Sequence, residues 1–156
     1  MPSLPTVAPE LIFSLASSLA LISWLALAAS PYTVRWAPRV RFIAGRAVPL
    51  IFALVYVWLF ASNGMGGGGF DSIAAVQRLL SVPALLTAGW LHYLAFDLFV
   101  GAWIADRAGV LGIPHWLVLP LLALSFMFGP AGLLAFAVLR WVWLCRLQAR
   151  PQALVA

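Results

Sequence analysis

The sequence predicts an all-α integral membrane protein, about four transmembrane helices in a compact bundle, with the fourth helix kinked or broken. Three observations carry this. Of 156 residues, 65% are hydrophobic and 8% charged, whereas a soluble domain carries about 25% charged residues, so the chain cannot cover a water-facing surface. Apolar runs of the roughly 20 residues needed to cross a bilayer recur along it. No strand-like alternation and no internal repeat interrupts them. Length and composition suit one transmembrane domain over residues 1–156, with spans at about 10–29, 46–62, 83–106 and 113–143.

Span one runs from Glu10 to Ala29, with only serines breaking its apolar character, and ends at Pro31 and the basic stretch Arg35, Arg39, Arg41, Arg46. Ala26-Leu27-Ala28 imitates a signal-peptide cleavage site, but a positive leader is missing and the apolar run is too long. Span two, centred on Val48 to Ala61, is short unless it begins near Phe42, which places Arg46 where its side chain snorkels to the interface. Pro49 fits a first helical turn, where a missing N–H costs little. Asn63-Gly64-Met65-Gly66-Gly67-Gly68-Gly69 is a flexible loop. It is no phosphate cradle, because no Gly-Lys-Ser/Thr follows. Asp71 to Ser81 reads as a short interfacial helix with Arg78 among the headgroups.

Span three runs from Pro83 to Asp106, with Pro83 again at a first turn. Span four, Ile113 to Trp143, is too long for one straight crossing. Pro120 and Pro130 each remove an N–H from it, and Phe128-Gly129-Pro130-Ala131-Gly132 is the expected break.

The net charge of +5 comes from nine basic residues, all Arg. Arg beside apolar spans suits anionic headgroups, so membrane lipids are the expected partners. Nucleic acid is not, because no basic patch lies on a polar fold. The positive-inside rule puts the Arg35–Arg46 loop in the cytoplasm. With four full spans, Arg140, Arg146 and Arg150 then fall on the opposite side. Either the first loop dominates or span four does not cross fully; the first option is the one expected.

Polar groups within the spans carry the functional reading. A charge at mid-bilayer costs about 2.5 to 3.5 kcal/mol on insertion scales, so such a residue faces the bundle interior and marks a functional site. Asp97 is the clearest case. His92 shares its helix and His115 opens span four, and these three are the candidate catalytic residues. His92 and Asp97 are five residues apart, about 7.5 Å in rise and about 140° around the axis. They cannot converge on one small atom, though they suit an elongated ligand. Gly89, Tyr93, Asp97 and Gly101 form a stripe on which helices approach closely, and Tyr93 sits one turn from Asp97. A tight turn before span four brings His115 within about 5 to 10 Å in depth of Asp97 by the 1.5 Å rise. It also puts Ser125 near the level of His92. Trp90, Tyr93, Phe99, Ser125 and Pro130 are the expected substrate-lining residues. Two His and a carboxylate match a non-haem iron triad in type, but their depths differ, so no metal site is expected. The sequence names no cofactor and no oligomeric state.

Most tryptophans (Trp36, Trp58, Trp90, Trp103, Trp116, Trp141, Trp143) lie near span ends, as interfacial aromatics do. Cys145 is alone, so no intrachain disulfide forms.

Gly89-Trp90-Leu91-His92-Tyr93-Leu94-Ala95-Phe96-Asp97-Leu98-Phe99, then Pro114-His115, then Gly129-Pro130-Ala131-Gly132, resembles the abscisic acid-deficient-4 family. These are plastid membrane proteins of plants, with bacterial relatives, needed to make the xanthophyll neoxanthin. The Trp-x-His-x4-Asp-Leu-Phe pattern is the most specific part, and the similarity spans the four-helix region. No plant-type transit peptide is present, so a bacterial or a mature form is expected, with the bacterial inner membrane as the expected location. The resemblance implies a carotenoid or other isoprenoid ligand and an epoxy-carotenoid isomerase-like activity. That reaction needs an acid at the epoxide oxygen and a base at carbon. Asp97 would be the base and His92 or His115 the acid. Two other classes stay open: a non-catalytic carotenoid or lipid binder in pigment assembly, and a small proton-conducting bundle with Asp97 as relay.

Overall fold

The computed structural model describes residues 8–149, all of whose regular structure is helical. Arg150 lies outside the described residues. Helix α1 is Pro9–Ala28. Helix α2, Ala37–Phe42, continues through a π-helical turn, Ile43–Ala47, into α3, Val48–Asn63. Helices α4, Ile73–Leu80, and α5, Pro83–Val110, follow. The chain then forms α6, His115–Phe128, and α7, Pro130–Ala149. Four helical stretches are long and apolar enough to cross a membrane: Pro9–Ala28, Ala37–Asn63, Pro83–Val110 and Pro130–Gln148. With this composition, the protein is an integral membrane protein.

Helix α5 is the hub. Leu85, Ala88, Leu91, Leu98 and Ile104 are fully enclosed by its neighbours. Lipid supplies little hydrophobic force between helices, so close approach through small residues holds the bundle. Gly101 of α5 lies directly against the Trp24 indole of α1, and Gly109 against the Tyr32 ring that follows α1. Gly45, in the π turn, lies against Ala102 of α5. A side chain at any of these glycines would hold its helices apart. Trp24, the tryptophan placed outside the interfacial set, is a core residue at 6% exposure.

Three boundaries differ from the sequence reading. The second span begins at Ala37, not near residue 46, and is a continuous 27-residue helix. Pro49 therefore sits inside a helix rather than at its start. The π turn absorbs it: the Val48 N–H bonds the Ile43 carbonyl five residues back, a local widening at the point where the ring of Pro49 would crowd the turn before it. The early start is also held by charge. Arg41 is 3% exposed, and its Nε lies 2.7 Å from Asp106 Oδ1 of α5. Nε makes no aligned hydrogen bond, so this is a charge contact, and the guanidinium also sits 5.1 Å over the Tyr32 ring. Second, α5 runs to Val110 rather than Asp106, because Gly109 serves the contact with Tyr32 and the chain turns only at Gly112, at φ 65°.

Third, the 113–143 region is two helices, and the second doubles back. The Tyr93 hydroxyl donates to the Phe126 carbonyl at 3.3 Å, and a Cβ on Gly129 would lie 2.5 Å from Asp97 Oδ1. The end of α6 is thus level with the middle of α5. From there Phe136 meets Trp103, ring centroids 5.4 Å apart, and the Trp143 indole N–H donates to the Leu111 carbonyl at 3.0 Å. Phe136 is seven residues past Gly129 while Trp103 is six past Asp97, and Trp143 and Leu111 are each fourteen past. Helix α7 therefore climbs alongside α5 in the same direction, back toward the end where α6 began. Gly132 permits the reversal by lying directly on the backbone and hydroxyl of Ser125.

The short linker helix matches expectation. The Ser72 hydroxyl accepts from the Ala75 N–H at 3.2 Å and caps α4. The Gly69 N–H donates to the Ala75 carbonyl, folding the glycine loop onto the helix.

Candidate functional site

Asp97 sits halfway along α5 and is 9% exposed. Its helix position turns it inward, toward the junction of α6 and α7, where Gly129 leaves room for the carboxyl. Tyr93, one turn away on the same helix, donates its hydroxyl to the Phe126 carbonyl at the end of α6, 3.3 Å away. Ser125 of α6 is fully buried against Gly132. Two polar atoms of this cluster, Asp97 Oδ2 and Ser125 Oγ, are buried without a hydrogen-bond partner. Such groups cost about 1 to 3 kcal/mol each when left unpaired, more for a charge.

Aromatic side chains wall one side. The Trp90 indole N–H donates to Ser17 Oγ of α1 at 2.9 Å. Its ring stacks on Phe13 and Tyr93, both with centroids 5.2 Å away. Across the junction, Phe126 meets Trp24 edge-on at 5.7 Å. Pro130 begins α7 beside the buried Gly129. Of the expected lining residues, Trp90 and Tyr93 stack on each other on α5, Ser125 is buried on α6, and Pro130 is exposed at the start of α7.

The histidines are elsewhere. His92 is exposed on the outer face of α5 toward α3, with its ring 6.0 Å from Tyr56 and 4.7 Å from Phe96. Phe99 continues that face. It lines an apolar groove of about 360 Å³ with Arg46, Pro49, Ala53, Ala95 and Phe96. His115 Nε2 is 2.8 Å from the Ala28 carbonyl, so it fastens the start of α6 to the end of α1. Asp97 instead meets Gly129, fourteen residues further on, about 20 Å along the helical rise. The expected nearness of His115 to Asp97 fails because α6 runs its full length inward before it reaches the carboxylate. Among the described residues, no three His, Cys, Asp or Glu side chains group closely enough for a metal.

Sequence reasoning missed the parts played by Gly129 and Gly132. The run Gly129-Pro130-Ala131-Gly132 marked a break, but nothing in it said that the break would face Asp97.

The profile of the ABA DEFICIENT 4-like family matches residues 11–136. The chain belongs to the ABA DEFICIENT 4-like family. The match takes in the Trp90–Phe99 segment, the whole of α6 and the Gly129–Gly132 turn, so every residue of the polar cluster lies within the family region. No curated protein and no solved structure matches the chain.

Proposed function

We propose that this family member works on carotenoid or related isoprenoid lipids within the bacterial inner membrane, as an isomerase of epoxide-bearing polyenes. The carotenoid link comes from the family. The catalytic reading is supported by one observation above all: buried, unpartnered Asp97 Oδ2 and Ser125 Oγ in an otherwise apolar bundle. A lipid carrying a single oxygen function would enter between helices and place that oxygen where these atoms lack partners.

The chemistry needs no oxidant. Opening an epoxide to an allene removes one proton from carbon, the C–H electrons form the new double bond, the C–O bond breaks, and the oxygen takes a proton. Asp97 is the base in this reading. Tyr93 is the acid in place of His92 or His115, because it stands one turn from Asp97 with its hydroxyl at the Phe126 end of α6, while His92 lies among outer-face rings and His115 on the Ala28 carbonyl. Positioned acid–base groups contribute about 10²- to 10⁴-fold. In membranes supplied with an epoxy-carotenoid, chromatography should therefore show product formation falling at least about a hundredfold in Asp97→Asn. Tyr93→Phe should fall less, and His115→Gln should remain near wild type. Undiminished turnover in Asp97→Asn removes the proposal.

A second reading is favoured by the outer groove at Phe96 and Phe99. Its lining is nearly all apolar, and it lies along a lipid-facing seam that includes His92 and Tyr56. A non-catalytic polyene binder would use that seam. Purified protein with a three-banded visible spectrum that is lost in Phe96→Ala and kept in Asp97→Asn would support the binder over the enzyme.

A further inference from the structure

The doubling back of α7 changes which end of the bundle each charge occupies. Thr87 Oγ1 is 3.5 Å from the Pro9 carbonyl, so the start of α1 and the first turns of α5 share one end, together with Asn63, the glycine loop and α4. The other end gathers the α1–α2 loop, the Gly112 turn, the start of α6 and Trp143, tied by the contacts of His115 with Ala28 and Trp143 with Leu111. Among the described residues, that second end holds Arg35, Arg39, Arg41, Arg46, Arg107, Arg140 and Arg146, against Asp106 alone. The first end holds Arg78 with Glu10 and Asp71.

We propose that α6 and α7 form a re-entrant hairpin that enters from the arginine-bearing end, turns at Gly129 in mid-bilayer and returns, so that this end rests on the anionic headgroups of the cytoplasmic leaflet. Three arguments converge. The turn lies level with Asp97, the midpoint of the 28-residue α5, and non-helical backbone at that depth is tolerated only when protein covers it; Gly129 is buried. Arg140 and Arg146 flank Trp143, as basic and aromatic anchors flank an interface. The reversal also removes the conflict with the positive-inside rule. A fully crossing last helix would set Arg140 and Arg146 opposite the Arg35–Arg46 loop, whereas the hairpin joins them. The charge so assembled complements an anionic leaflet. This topology stands whether or not the Asp97 cluster is catalytic.

The single cysteine is a native probe, exposed two residues beyond Trp143. A membrane-impermeant maleimide should label Cys145 in inverted vesicles and not in intact cells. In a Cys145→Ala background, Thr33→Cys should behave the same way and Asn63→Cys the opposite way. Gln148→Cys repeats the Cys145 measurement further along α7. Labelling of Cys145 and Gln148→Cys from the same side as Asn63→Cys overturns the hairpin. For the leaflet contact, nanodiscs of phosphatidylglycerol should raise Tm by several degrees over phosphatidylcholine, and high salt should erase the gain. Equal Tm values in the two lipids overturn the assignment of the anionic surface.

Discussion

Asp97 was legible in the sequence as the residue to watch, because a carboxylate flanked by Phe96, Leu98 and Phe99 has no soluble explanation. Its burial against the bundle rather than the acyl tails agrees with the cost of charge in hydrocarbon. The part of Gly129 was not legible, because nothing in the sequence says that the end of α6 comes level with Asp97 and lays this glycine against its carboxyl. His92 and His115 drew attention by their chemistry, yet each has a local task, one among aromatic rings on an outer face and one on the Ala28 carbonyl. Ser125 separates structural from functional roles. Its hydroxyl is buried without a partner, so Ser125→Ala removes an uncompensated desolvation cost. Detergent melting should show Tm unchanged or slightly raised, while product formation falls about tenfold, a loss at the modest end of what one positioned hydrogen bond supplies. Activity kept at the wild-type level would separate the hydroxyl from the ligand. Gly129→Ala should impair both, since its Cβ meets the Asp97 carboxyl at 2.5 Å.

The sequence reading starts its first and third spans at Glu10 and Pro83, and α1 and α5 begin at Pro9 and Pro83. The second helical stretch starts earlier than expected, at Ala37, because the arginines from Arg35 to Arg46 read as loop in the sequence. In the folded chain Arg41 is carried into the bundle by Asp106 and Tyr32, and that pairing is invisible to a one-dimensional scale. The stripe on α5 expected for close helix approach has glycines only at its two ends, and these are unequal. A Cβ on Gly101 falls inside contact distance of the Trp24 ring, whereas one on Gly89 meets Leu80 Cδ2 at 3.4 Å. Gly101→Ala should therefore destabilise by about 1 to 3 kcal/mol, the range for overpacking, and Gly89→Ala by much less. Unfolding in mixed micelles compares the two directly. Equal losses would mean that α1 and α5 are not clamped at Trp24. Removing the charge that holds α2 offers a parallel check. Asp106→Asn leaves Arg41 buried beside a neutral partner, and because Asp106 is itself 47% exposed the loss should stay at about 1 to 2 kcal/mol, below that of a fully buried pair.

Direction is the property that hydropathy cannot encode. An apolar run broken at Gly129-Pro130 scores alike whether the chain continues across or turns back, and only the contacts of Phe136 with Trp103 and of Trp143 with Leu111 decide it. The signs of the reversal in the sequence were the break at Gly129-Pro130, the excess length of the fourth span and the placing of Arg140 and Arg146 opposite the first loop by four full crossings. Orientation then depends on the molecule as a whole, since each arginine at the end holding Arg35 adds to the same retention signal. The two architectures predict opposite effects for one double variant. If α7 crossed the bilayer, Arg140 and Arg146 would oppose the first loop, and Arg140→Gln with Arg146→Gln would sharpen the orientation. In the hairpin they reinforce that loop, so the same variant should weaken the bias, seen as a rise in the fraction of Cys145 reached by impermeant maleimide from outside intact cells. Replacing Arg35 and Arg39 by Gln should act in the same direction, because the contacts of His115 with Ala28 and of Trp143 with Leu111 put both pairs at one end of the bundle.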